Sequence, residues 1–279
     1  MINSVDVNNM TKKELIQKID ELNLKLKLQE DFLLNISHDL RNPVNVVLSI
    51  LQCLRYTSSQ EKINEYRQII KRNSYKIIKL IDNLIDTTKL ENNYYELCKK
   101  NIDIVWVVES IVESIEKYAQ FKNIQMIFDT NVEECMITVD PNAIDRIVMN
   151  LLSNAIKFSP KDSHILINVI KNNDMVHISV EDSGPGIPEG EQKLIFDRFK
   201  QSTLNKDNEY KGSGIGLDLV NYLTKAHNGE VKVDSVEGKG AKFTVSLPIN
   251  LNEEEDIVQE LFKRDKVEKL EIEFSDIYL

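Results

Sequence analysis

Asp140-Pro-Asn-Ala-Ile-Asp-Arg-Ile-Val-Met-Asn150-Leu-Leu-Ser-Asn154-Ala-Ile-Lys157-Phe158 is the stretch on which the fold turns. Asp140 suits a helix cap and Pro141 the first helical position, so a helix is predicted from 141 to 157. Ile147, Leu151 and Ala155 fall on its core face. Asn150, Asn154 and Lys157, spaced four and three apart, share another. Two amides and an amine on one face suit a Mg²⁺-bound triphosphate, because an amide oxygen is a hard ligand and a lysine answers phosphate charge. The same spacing equally describes an ordinary polar helix face. Alternating strands follow at Ile165, Ile167, Val169 and at Val176, Ile178, Val180. Later strands are marked by Val231 and Val233 and by Phe243, Val245 and Leu247. With a helix near 105–121 and short strands near 124–130 and 135–139, residues 102–250 read as helices covering one face of a mixed sheet, an α+β sandwich.

Upstream the pattern changes. Leu15, Ile19, Leu22, Leu26, Gln29, Leu33, Ile36 and Leu40 alternate at spacings of four and three, a heptad seam broken only by Gln29. One long helix is predicted over 10–56, then a polar turn at 56–60 and a second helix over 62–91. Such a hairpin buries its apolar stripes by pairing with a second copy, giving a four-helix bundle and a homodimer. The expected organisation is a coiled-coil signalling helix (1–30), a helical hairpin (31–92), a polar linker (93–101), the sandwich (102–250) and an acidic extension (251–279). The fold class is mixed: all-α hairpin, then α+β.

Composition narrows the function classes. The 279 residues carry 45 acidic against 35 basic side chains, a formal charge of −10, which argues against nucleic acid as a partner. No apolar run approaches the ~20 residues of a membrane span, and no signal peptide opens the chain. A cytoplasmic chain is expected, including the cytoplasmic part of a membrane-bound sensor. Cys53, Cys98 and Cys135 are far apart and read as free thiols.

All nine glycines fall between Gly184 and Gly240. Glycine crowded into one segment marks loops with unusual backbone angles or close ligand approach. Asp182-Ser-Gly184-Pro-Gly186-Ile187-Pro188 ends an alternating strand, where a carboxylate can read a base edge. Gly212-Ser213-Gly214-Ile215-Gly216-Leu217 opens a helix, whose first N–H groups can meet phosphate. Alone, either motif also serves as a simple turn. Between them, 200–211 is largely polar and suits a lid.

His38 lies two residues from Ile36 and two from Leu40, which turns it away from the seam and toward solvent. Asp39 is its neighbour, Asn42 shares its face and Pro43 follows. An exposed imidazole oriented by a carboxylate can act as a nucleophile, although a solvated surface histidine would look the same.

Together these segments resemble the sensor histidine kinases of two-component signalling. Ser37-His-Asp-Leu-Arg-Asn-Pro43 is similar to the H box and Asn150–Phe158 to the N box. Asp182–Gly186, Gly212–Leu217 and Gly238–Thr244 resemble the three glycine boxes, and Phe196-Asp-Arg-Phe199 the F box. The resemblance covers about residues 28–248. It implies a dimerisation and phosphoacceptor hairpin followed by a Bergerat-fold ATP-binding domain. By that resemblance His38 would take the γ-phosphate of ATP on Nε2, with Asp39 as the base or orienting acid. Asn154 would ligate Mg²⁺, with Asn150 and Lys157 contacting the phosphates or the metal's surroundings and Phe158 packing near the nucleotide. Asp182 would bind the adenine amino group, and Gly184, Gly186, Ile187, the second glycine box and Thr244 would line the site.

The resemblance further implies transfer to an aspartate of a separate response regulator. Asn42 stands where relatives orient water for dephosphorylating that regulator. Gln201 stands where some relatives carry an arginine, with Arg198 and Lys200 as the neighbouring cations. An upstream sensor domain or membrane receptor is an implied partner. A gyrase-, Hsp90- or MutL-type ATPase is the neighbouring reading, but Asn150 replaces its glutamate base. A non-catalytic dimeric scaffold is the other alternative, and lack of ATP binding would mark it. Residues 251–279 carry ten acids and four bases and extend past the usual end of the fold. Ile257, Leu261 and Phe262 predict a short helix there, and Leu270, Ile272 and Phe274 a strand; a solvated appendage and a regulatory element are both open.

Overall fold

The computed structural model describes residues 11–91, 96–196, 216–252 and 266–275. Helix α1 (Lys12–Leu54) opens with a capping box, in which Thr11 and Glu14 each satisfy the other's backbone N–H. Pro43 lies inside it, leaving the carbonyl of Asp39 without its helical donor. A five-residue turn leads to α2 (Gln60–Glu91), and the two helices pack as the expected hairpin. Ile36 is buried between them, with Leu40 and Leu84 packed against it. Along the rest of the seam Ile19, Leu22, Leu26 and Leu33 stay about half exposed in the single chain.

Strand β1 (Lys100–Asp103) pairs antiparallel with β3 (Met136–Val139). Its first two residues fall in the stretch expected to be linker. The reason is long-range: Lys100-Asn101 carries no alternation, and only pairing with Val139 and Thr138 makes it a strand. Between them come α3 (Ile104–Gln120), capped by Asp103, and β2 (Gln125–Thr130). Helix α4 (Pro141–Phe158) is followed by β4 (His164–Asn172), β5 (Met175–Asp182) and a 3₁₀ turn at Leu194–Phe196. Helix α5 (Gly216–Ala226), β6 (Glu230–Val236) and β7 (Gly240–Pro248) complete the sandwich. The sheet order is β2-β4-β5-β7-β6, parallel only between β2 and β4. One face is apolar: Ile165, Ile167, Val169, Val176, Ile178, Val180, Val245 and Leu247 are all buried there. Helices α3, α4 and α5 cover it, and each such side chain contributes about 1.5–3 kcal/mol on burial.

Helix α6 (Lys266–Glu273) is the second departure from expectation. Leu270, Ile272 and Phe274 alternate as a strand would, but they form a helix and the turn after it, because a helix puts Leu270 and Phe274 together on the core. Leu270 and Phe274, four apart, both face the core and are buried. The helix predicted around Ile257, Leu261 and Phe262 lies outside the described residues. Among the described residues, no helix is long and apolar enough to cross a membrane.

Candidate ATP and phosphoacceptor sites

Asp140 organises the start of α4. Its Oδ1 accepts the N–H groups of Asn142 and Ala143, and its Oδ2 accepts that of Cys98. Its own N–H donates to Nε2 of His227, whose Nδ1–H reaches Leu223 O at 2.7 Å. Burial holds the His227 pKa below its ordinary value, so the neutral imidazole serves both bonds. At the other end of the helix, Lys122 Nζ donates to the carbonyls of Ile156, Lys157 and Ser159 at 2.9, 2.7 and 3.2 Å. A cation there satisfies carbonyls that the helix itself leaves open. Neither His227 nor Lys122 stood out in the sequence, because their partners are 87 and about 35 residues away.

Between these anchors α4 presents the predicted side chains. Ile147, Leu151 and Ala155 are buried, while Asn150 and Asn154 are half-buried on another face. Asn150 Nδ2 donates to Arg146 O at 2.8 Å, which leaves its amide oxygen directed at the start of α5. A Cβ on Gly216 would come within 2.5 Å of that oxygen, so a larger residue there would push the Asn150 amide aside. Lys157 is buried, with its Nζ 5.4 Å from the centre of the Phe158 ring. Leu217, at the start of α5, is half-buried against the core. Gly212, Ser213, Gly214 and Ile215, with Arg198, Lys200 and Gln201, lie outside the described residues.

Asp182 ends β5 opposite Ala241. Its Oδ1 accepts the N–H of Gly184 at 2.8 Å. Burial pushes its carboxyl up to about 6; the N–H groups of Gly184 and Ala241 oppose that shift, and the charge of Glu181 adds to it. A Cβ on Gly184 would meet Asp182 Oδ1 at 2.7 Å and Phe158 O at 3.1 Å. The loop is tied to the β6–β7 turn: Gly238 N–H donates to Pro185 O at 2.7 Å and Ile187 N–H to Ser235 Oγ at 2.9 Å. Gly186 and Gly240 have positive φ, and side chains there would collide with Val236 O and Asp182 O respectively. Gly186 and Gly240 therefore pack backbone against backbone, and Gly184 packs against the half-buried Asp182 carboxylate.

Thr244 is a correction. Ala241, Phe243 and Val245 share the buried face of β7, so Thr244 projects from the opposite face, opposite Ser179 and Lys232. The third glycine segment meets the Asp182 carboxyl through the backbone N–H of Ala241. Strand alternation was enough to show this once the register with β5 was set.

His38 stands on α1 with its side chain 70% exposed. Asp39 Oδ1 is 3.6 Å and Asn42 Nδ2 3.4 Å from the same ring nitrogen, Nδ1. Both neighbours thus address Nδ1 and leave Nε2 facing outward. An acceptor at Nδ1 favours the tautomer with a lone pair on Nε2, which is the nucleophilic one. Asn42 as placed donates to an Nδ1 lone pair and favours the Nε2–H form; turned about its amide it presents an oxygen there and favours the same tautomer as Asp39.

Residues 28–93 match the His Kinase A (phospho-acceptor) domain family. Residues 139–251 match the family of histidine kinase-, DNA gyrase B- and HSP90-like ATPases. Sensor histidine kinase WalK of Bacillus subtilis is 28% identical over 82% of this chain and 38% of its own length. Sensor histidine kinase TmoS of Ectopseudomonas mendocina is 31% identical over 88% of this chain and 25% of its own. Among solved structures, full-length ShkA in complex with AMPPNP superposes with a TM-score of 0.61 at 24% identity, covering 80% of this chain and 46% of that one. The histidine kinase AdeS of Acinetobacter baumannii gives 0.58 at 20% identity, covering 77% and 98%. The first curated relatives are much longer: the chain spans 18%, 38% and 19% of their lengths. A phosphoacceptor hairpin and a Bergerat-type ATPase fold in this order place the chain in the sensor histidine kinase family of two-component systems.

Proposed function

We propose that this chain is an ATP-dependent protein-histidine kinase that phosphorylates its own His38. The observation that carries this is the ring environment of His38: both polar neighbours meet Nδ1, and Nε2 is open to an incoming phosphate. In the step proposed, the Nε2 lone pair attacks the γ-phosphorus of ATP in line with the bond to the β,γ-bridging oxygen. An N–P bond forms, that P–O bond breaks and ADP leaves. Asp39 stabilises the cationic ring as the bond forms and accepts the Nδ1 proton. The transition state is loose and charge-rich, so positioning carries most of the catalysis.

Asp182, sunk among glycine backbones, accepts the adenine amino group. The amide oxygens of Asn150 and Asn154 and the amine of Lys157 face the phosphate end, a donor set that fits Mg²⁺ with Asn154 as its ligand. Mg²⁺ there would draw charge from the phosphates. A homodimer covers the half-exposed seam of α1, and residues 31–92 and 102–250 act as the phosphotransfer and catalytic parts. The phosphoryl group then passes to an aspartate of a response regulator. Asn42 orients water for the reverse, phosphatase reaction. Residues 1–30 relay the signal from an upstream sensor.

Incubation with γ-labelled ATP and Mg²⁺ tests the central step. Acid-labile, alkali-stable label on the wild type, absent from His38→Gln, is the expected result. Nucleotide binding with phosphate release but no label would instead favour the ATPase reading, and absence of binding the scaffold.

A further inference from the structure

Helix α6 lies past the β7 end of the sandwich, and the kinase chemistry leaves it without a role. It touches both halves of the molecule. On the catalytic side Phe274 is fully buried and stacks on Tyr118 of α3, ring centroids 4.5 Å apart and planes 21° from parallel. On the hairpin side Lys71 Nζ meets Glu271 Oε2 at 2.8 Å, and Lys79 Nζ reaches Glu273 twice, its carbonyl at 2.5 Å and its carboxylate at 3.4 Å. Lys71 and Lys79 are two turns apart on one face of α2, as Glu271 and Glu273 must find them. The acidic surplus of the extension, fourteen charged residues of which ten are acids, supplies the complementary sign.

We infer that α6 is an intramolecular latch, holding the catalytic domain on α2 in a posture from which His38 is not phosphorylated. Three observations set this direction. Among the described residues of the single chain, the catalytic half rests on α2 through α5 and α6, and its extensive contacts do not include α1, which carries His38. The His38 side chain is 70% exposed, and among the described residues the polar groups that meet it are those of Asp39 and Asn42, both on its own helix. The joint is also incompletely closed: an open cleft of about 640 Å³ lies between α2, α3 and α6, lined by Tyr75, Lys117 and Phe121 among others. Permanent interfaces close such space.

The latch has a route to the nucleotide. Arg146 of α4 interacts with the charges of both Asp82 on α2 and Glu273 at the end of α6. The carbonyl of the same residue holds the Asn150 amide. Changes around Asn150 on ATP binding are thus one residue removed from the ion pairs of the latch, so nucleotide and latch bias one equilibrium.

Charge reversal tests this without touching the buried Phe274 or any residue of the ATP and histidine sites. The inference rests on the kinase reading, which wild-type labelling establishes separately. Lys71→Glu and Glu271→Lys, each alone, should raise the initial rate of His38 labelling about three- to five-fold, the population shift for one lost pair plus a repulsion. The double reversal should return the rate to the wild-type value. Hydrogen exchange should rise over 266–275 in each single variant and fall back in the double, a readout that needs no activity. Unchanged or slower labelling in the single variants, with exchange raised, would overturn the inhibitory role. Unchanged exchange would overturn the latch itself.

Discussion

Asp182 is protonated more readily than an ordinary carboxylate, because burial disfavours its charge and the two backbone donors only partly offset that. Only its ionised form accepts from the adenine amino group without presenting a competing proton. Adenine-nucleotide affinity should therefore fall as pH drops through about 6, by roughly ten-fold per unit once below it. Titration calorimetry with ADP at several pH values checks this, with Asp182→Asn as the control: its affinity should be about 10–100-fold lower and lack that step. In the unliganded protein the sign reverses. The folded state takes up a proton more readily than the unfolded chain, so this group's contribution to stability is complete below about 3.8 and is lost as pH rises through about 6.

Helix α4 illustrates how an element is placed by residues outside it. Its sequence carries the cap, the core stripe and the polar face. Its C-terminal end, next to Phe158 and the Gly184 loop, is held by Lys122 from the turn after α3. Lys122→Met should keep the hydrocarbon stem but strand three carbonyls, lowering stability by about 1–3 kcal/mol in urea denaturation. Because Phe158 O abuts Gly184, the same variant should weaken nucleotide binding more than it slows labelling at saturating ATP. A variant as stable as wild type would show that water replaces the amine there. Strand β1 teaches the reverse lesson: four residues without a pattern were drawn into a strand by β3, which no local reading of Lys100-Asn101 could reveal.

At the scale of the whole molecule, the single chain leaves an apolar stripe uncovered. Val44, Leu48 and Leu51 of α1 are 39%, 53% and 47% exposed, at helical spacings of four and three. A second hairpin would bury them. Leu48→Glu with Leu51→Glu should give a monomer in sedimentation equilibrium while the catalytic domain still binds nucleotide. A dimer that survives both charges would place the interface elsewhere. The hairpin, the sandwich and their order were legible in advance, since heptads, alternation and glycine placement are properties of neighbouring residues. Thr244 was misassigned because a strand residue's face depends on the register with its partner.

What the sequence determined by itself was every element whose signal is local: the long helices, the alternating strands, the H and N segments and the acidic character of residues 251–279. The tertiary structure alone decided which groups those elements bring together. It set Ala241 rather than Thr244 against Asp182, anchored α4 through His227 and Lys122, and turned the strand-like alternation of Leu270, Ile272 and Phe274 into a helix docked on α2 and α3. The physical reason is the same in each case. Periodicity reports how a residue is oriented within its own element, whereas pairing, burial and charge contact depend on surfaces supplied by residues tens to hundreds of positions away.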